Sequence, residues 1–280
     1  MARRRATWLR IRTLLLPLLL LCPLGAGCIS VPAPRPVDAP QLKPGSTYLL
    51  HLSGISGITI FDTWWLRALQ DAGAADRVDT YDWAGPGGWV QVLHAVEHNR
   101  KAALKVAEFV TEVRRRNPDV RIIMSSESGG TAVAAWTLEA LPDDVKVDEV
   151  LLIAPAVSPG YDLSRALAHV TGAVRYTTTP LDFGTLGLWT SVLGNMDGPK
   201  GAGAGLVGFR EPPGADPHAY RRLLRISYNP AWIIWGNLGS HTGAMSSAFA
   251  RHVLGPMLVE DRKRATKQPV APATTRASGE

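Results

Sequence analysis

Along this chain the spacing of apolar and polar positions changes period repeatedly, and each change marks an element. Tyr48-Leu49-Leu50-His51-Leu52 is a nearly continuous apolar run closed by Ser53-Gly54, the pattern of a buried strand with a turn after it. Phe61–Ala72 predicts a helix and Val78–Trp83 a strand. Trp89–Arg116 is a long helical pattern in which Ala103, Val106, Ala107, Val110 and Val113 form one apolar stripe. Asn117-Pro118 ends it, because proline cannot continue the hydrogen-bond ladder. Val120–Met124 predicts a strand, Thr131–Leu141 a helix, Val147–Ala154 a strand, Leu163–His169 a helix and Ala173–Thr178 a strand. Ala231–Trp235 reads as the last strand and Gly243–Leu258 as a closing helix.

Apolar strands alternating with helices imply a parallel sheet covered on both faces. The expected fold class is therefore α/β: a three-layer, doubly wound, mostly parallel sheet. On such sheets ligands sit at the carboxyl ends of the strands. The folded body is expected over residues 47–260. Residues 261–280, rich in Lys, Arg, Pro, Ala and Thr without apolar periodicity, are expected to be disordered. With 46% hydrophobic and 19% charged residues, the 280-residue chain is neither largely disordered nor a coiled coil.

The formal charge of +6 changes little once its location is seen. Arg3, Arg4, Arg5, Arg10 and Arg12 precede any acid, and without them the chain is close to neutral. This argues against a nucleic-acid partner. The basic stretch runs into the apolar segment Leu14–Leu21 and then Pro23-Leu24-Gly25-Ala26-Gly27-Cys28, the layout of an export signal over residues 1–27. The segment resembles a bacterial lipoprotein signal, which implies acylation of Cys28 and a lipid anchor holding an exported protein at a membrane. The leucine usual three residues before that cysteine is replaced by Gly25, with Leu24 one place earlier. Ordinary cleavage near Ala26 is the alternative. Residues 28–46, with Pro32, Pro34, Pro36, Pro40 and Pro44, read as an extended tether. The only cysteines are Cys22 and Cys28, so the mature chain is expected to fold without an internal disulfide.

The most informative stretch is Met124-Ser125-Ser126-Glu127-Ser128-Gly129-Gly130-Thr131, where an apolar strand turns directly into a helix. A serine on so tight a turn projects its hydroxyl above the sheet, and small neighbours two places to either side let strand and helix pass closely. Here these are Ser126 and Gly130, so Ser126 departs from the Gly-x-Ser-x-Gly pattern. A serine hydroxyl needs a base to take its proton and an acid to orient that base. Asp182 follows the strand Ala173–Thr178, and His241 follows in the glycine-rich loop Gly236–Gly243. Asp197 is the competing acid.

These residues, with Leu52-Ser53-Gly54-Ile55-Ser56-Gly57, resemble the α/β-hydrolase superfamily from about residue 47 to 258. The resemblance implies a serine hydrolase working through an acyl-enzyme on an ester or related acyl bond, with no cofactor and no metal. Ser128 would be the nucleophile, His241 the base and Asp182 its orienting acid. The backbone N–H groups of Gly129 and Ile55 would form the oxyanion hole. It also implies a sheet shortened at its N-terminal edge, no large cap, and an open site with Gly184–Gly214 as the segment placed to roof it. Two other readings stand beside it. One is a hydrolase-like scaffold without catalysis, serving as an envelope binding protein. The other is a zinc protease built on His94, Glu97 and His98, since His-x-x-Glu-His puts two imidazoles on one helix face. Gly203–Gly208 matches the dinucleotide fingerprint by letter, but no strand precedes it, so it reads as a loop.

Overall fold

A run such as Tyr48–Leu52 can bury both rows of its side chains only between two helical layers. That is where a computed structural model of the chain, which describes residues 38–85, 92–93 and 95–267, puts it. Six strands form one parallel sheet: β1 (Thr47–Leu52), β2 (Arg77–Tyr81), β3 (Arg121–Glu127), β4 (Glu149–Ile153), β5 (Val174–Thr178) and β6 (Leu223–Ser227). Their order is β2-β1-β3-β4-β5-β6, with all neighbours parallel. β1 and β4 are buried throughout, whereas β2 and β6 lie at the edges and are partly exposed.

The chain first winds one way, from β1 to β2 through α1 (Ile60–Asp71), then crosses back to β3 through α2 (Val96–Arg116). From there it continues in one direction through α3 (Gly130–Ala140) and α4 (Ser164–Ala168). Contacts of α3 with both α2 and α4 define one helical layer. On the other face α1 packs against the closing helix α5 (Gly255–Lys267). The reversal lies between the carboxyl ends of β1 and β3, the crevice where such sheets bind ligands.

Local chemistry sets the ends of these elements. Thr59 and Asp62 form a capping box: Asp62 Oδ2 accepts from the Thr59 N–H at 2.7 Å and Thr59 Oγ1 accepts from the Asp62 N–H at 3.4 Å. The α2 stripe is buried as its spacing predicts, and the helix stops at Asn117. The Asn117 side chain then binds the incoming chain, accepting from Leu42 N at 2.8 Å and donating to Pro40 O at 2.9 Å. Ala39 is buried, so the last part of the expected tether is docked on the domain.

Three expectations are corrected. Ala231–Trp235 is no strand: Pro230–Trp235 is a 3-10 helix, because the Asn229 side chain accepts from Ala231 N and proline occupies the first helical position. The sixth strand is instead Leu223–Ser227, an edge strand too short and polar to announce itself. Gly243–Leu258 is broken at Ser246 into a 3-10 turn (Gly243–Met245), a short helix with a π-helical segment (Ser247–Leu254) and the start of α5. The expected disordered tail begins inside α5, which continues to Lys267. Asp261 holds it in place, accepting from Arg175 Nε and Nη2 at 2.7 Å each. The export leader, the first part of the tether, Cys28, Trp89 and His94 lie outside the described residues.

Candidate active site

β3 ends in the sequence that turns into α3, and the turn is as tight as its composition requires. Ser128 has φ 50°, a left-handed conformation that costs a non-glycine residue of the order of 1–3 kcal/mol. The conformation is held by neighbours on both sides: Ser128 N donates to Ile153 O at 2.9 Å, and Thr131 N donates to Ser128 O at 3.1 Å. Gly130 lets α3 start against β1, since a Cβ there would collide with the Leu52 and Ser53 carbonyls. Ser126, in place of the expected glycine, fits as a fully buried β3 residue opposite Leu52.

Asp182 and His241 reach this serine from two other strand ends. Thr179–Asp182 follows β5, and Thr179 Oγ1 donates to Gly239 O at 2.7 Å, joining this turn to the loop that carries His241. Asn237 braces the same loop by accepting from Gly239 N at 3.0 Å. His241 Nδ1 then lies 2.6 Å from Asp182 Oδ2, and Nε2 lies 2.8 Å from Ser128 Oγ. With a carboxylate on Nδ1, the proton of a neutral imidazole belongs there, which leaves Nε2 to accept from the serine hydroxyl. The three side chains are 59 and 113 residues apart in sequence and form one hydrogen-bonded chain. Asp197 does not join it; its Oδ1 accepts from Ser158 N at 2.9 Å.

Burial works against an imidazolium at His241. The hydrogen bond and charge of Asp182, with the charge of Glu127, outweigh it and hold the imidazole above its usual range. Glu127 is the residue that sequence reasoning passed over. Its Oε1 lies 3.7 Å from His241 Nε2, and its other oxygen packs on Gly54, where any Cβ would collide with it. Burial raises the Glu127 carboxyl above the carboxylate range, against the pull of His241. Its position directly before the serine was the only signal available, because nothing in the sequence says which way a side chain on a strained turn will point.

Behind Glu127 lies a second buried set. His51 Nδ1 contacts Ser125 Oγ at 2.9 Å and its Nε2 contacts Asp62 Oδ1 at 3.1 Å. His51 and Ser125 are fully buried, so this set joins α1 to β1 and β3 and does not face solvent.

The turn after β1 faces the start of α3. The Ile55 side chain packs on Gly129, and Met196 lines the same point. Trp83 Nε1 donates to Ser53 O at 2.7 Å and fixes the turn. Neither the Ile55 nor the Gly129 backbone N–H is bonded to any described residue. The segment 184–214 folds down beside the end of β4, with Gly205 N donating to Pro155 O at 2.8 Å and Ala204 N to Val157 O at 2.8 Å. A cavity of about 20 Å³ behind the imidazole, lined by Thr177, Thr178 and Asn237 among others, has room for about one water.

Of the metal-type residues, Glu97 and His98 are exposed on α2 and Glu97 pairs with Lys101 at 2.9 Å. Among the described residues no three His, Cys, Asp or Glu side chains converge as a set of metal ligands.

No protein-family model matches the sequence, and comparison with curated proteins finds no similar sequence. Among solved structures the chain is similar to Aspergillus fumigatus lipase B, at 14% identity over 82% of this chain and 57% of that one, with a TM-score of 0.48. The chain thus spans a little over half the length of that lipase. It is also similar to a dienelactone hydrolase-like promiscuous phosphotriesterase from metagenomic libraries (12% identity, 79% and 88% covered, TM-score 0.45). A third likeness is to the esterase domain of a Rhodothermus marinus protein (14% identity, 81% and 90% covered, TM-score 0.43). Independently of these likenesses, the chain's own strand order and the strand–serine–helix turn after β3 make its fold α/β-hydrolase-like.

Proposed function

We propose that the protein is a serine hydrolase acting on an ester or related acyl bond through an acyl-enzyme. The observation that carries this reading is the unbroken hydrogen-bond chain from Ser128 Oγ through His241 to Asp182. Nε2 takes the hydroxyl proton as Oγ attacks the carbonyl carbon, and Asp182 steadies the imidazolium that results. The oxyanion is met by the free N–H groups of Gly129 and Ile55, each such donor contributing about 3–4 kcal/mol in the transition state. Collapse expels the alcohol, which leaves with the proton from Nε2. Water then repeats the sequence, giving a proton to Nε2 as it attacks; the acid is released when the Oγ–C bond breaks and Oγ takes that proton back.

The leader resembling a lipoprotein signal extends the proposal: the protein is exported and held at a membrane by an acylated Cys28. A fluorophosphonate probe tests the chemistry. The wild-type protein is expected to label stoichiometrically and to lose all labelling in Ser128→Ala. A wild-type protein that never labels, while folded, is an inactive scaffold instead.

A further inference from the structure

Three segments that reach the carboxyl edge of the sheet around Ser128 carry almost no charge. Residues 53–66 follow β1, 181–195 follow β5 and 228–246 follow β6; none contains a lysine, an arginine or a glutamate. Their only aspartates, Asp62 and Asp182, are buried, and their only histidine is His241. These segments also expose large apolar side chains. Phe61 and Trp64 stand on the first turns of α1, Phe183 and Leu188 follow Asp182, and Ile234 and Leu238 precede His241. Each is between 53% and 72% exposed. The segments are bound to one another as well as to the site, through Trp65 Nε1 to Ala244 O at 3.0 Å and Thr179 Oγ1 to Gly239 O at 2.7 Å. The result is a collar without exposed charge, in a chain with 54 charged residues of which these segments hold only Asp62 and Asp182.

We propose that this collar seats the protein on the surface of an aggregated, electrically neutral acyl ester, so that the site takes its substrate out of that surface. The idea rests on the serine hydrolase reading for the identity of the ester. Charge matching selects the occupant: a face without lysine or arginine has nothing to offer an anionic headgroup, whereas exposed aromatic and aliphatic groups gain about 25 cal/mol per Å² on leaving water. The described chain also ends far from the collar. Residues 39–42 are fastened to Asn117 at the amino edge of the sheet, and Asp261 in α5 is fastened to Arg175 near the start of β5. Both exits therefore lie at the opposite pole, and no described segment covers the collar.

The test is flotation of the full chain with emulsified triolein droplets. Ser128→Ala, which cannot consume the droplet, is compared with the same chain carrying Leu188→Asp and Ile234→Asp. The collar variant is expected to partition at least ten-fold more weakly. Leu104→Asp, also exposed but on α2 away from the collar, is expected to leave partition unchanged. Unchanged partition of the collar variant overturns the proposal, as does an equal loss from Leu104→Asp. So does droplet binding weaker than binding to phosphatidylglycerol vesicles, or a collar occupied by a second copy in a concentration-dependent dimer. Thermal unfolding of each variant controls for folding, and Leu188→Asp alone carries the test if the double change unfolds. Collar-dependent flotation without probe labelling of the wild type sinks the hydrolase reading alone. Labelling without collar-dependent flotation sinks the docking alone.

Discussion

The two edges of the sheet both bury charge, and they do it with different chemistry. At the amino edge, Arg121 and Arg175 meet Glu149 and Asp261: Arg121 pairs with Glu149, and Arg175 takes Asp261 in a two-pronged bond. Burial, and after it Asp261, pushes the Glu149 carboxyl up to about 9, against the pull of the Arg121 and Arg175 guanidiniums. At the carboxyl edge there is no guanidinium in the cluster. His241 sits between Asp182 and Glu127, and His51 pairs with Asp62. Both described non-glycine residues with positive φ, Ser128 and Ala154, also lie at this edge, after β3 and β4. The difference is one of purpose. Arginine, which does not release its proton, fastens the last described helix; at the strained edge it is the imidazoles of His51 and His241, a group that exchanges a proton near neutrality, that meet the carboxylates.

The largest effect that would sharpen this contrast comes from Asp182→Asn. Loss of the carboxylate leaves the imidazole without its orienting partner and favours the wrong tautomer. The turnover of a soluble ester is expected to fall by about 10⁴ while the unfolding midpoint changes little. Asp261→Ala is expected to do the reverse. It leaves Arg175 buried without its main partner and should cost about 3 kcal/mol in denaturant unfolding, with activity per folded molecule retained. Comparable damage by each change to both properties would erase the distinction between the edges.

The smallest effect concerns pH. Against burial, Asp182 and after it Glu127 raise the His241 imidazole, and the proposed base would work only when neutral, so kcat/KM should rise through a His241 pKa above its usual range as pH increases. Glu127→Gln removes one raising charge, so this acid limb should move to lower pH, only slightly given the burial that favours a protonated Glu127. A limb that stays put, or moves upward, would mean that Glu127 carries no charge against His241.

Much of the architecture was legible before any coordinates. The apolar runs of β1, β3 and β4 and the α2 stripe are dense signals, and burial enforces them directly. The edge strand β6 was not legible, because only one of its five residues is buried. The apolar run Ala231–Trp235 misled for the opposite reason: its cap and proline set a helix that then exposes Ile233 and Ile234. Asp261 lay within a stretch whose composition reads as disordered, yet it sits in a helix tied by a pair of bonds to a residue 86 positions away.

By itself, then, the order of residues determined the strand–helix alternation, the serine on its turn, and the succession of serine, acid and histidine after it. Only the folded sheet decided that Asp182 rather than Asp197 meets His241, that Glu127 turns toward the same imidazole, and that uncharged segments from three strand ends close around them. The reason is physical. Periodicity and turn chemistry act over a few residues, whereas a side chain's partner is chosen by which strand ends the winding of the sheet brings together.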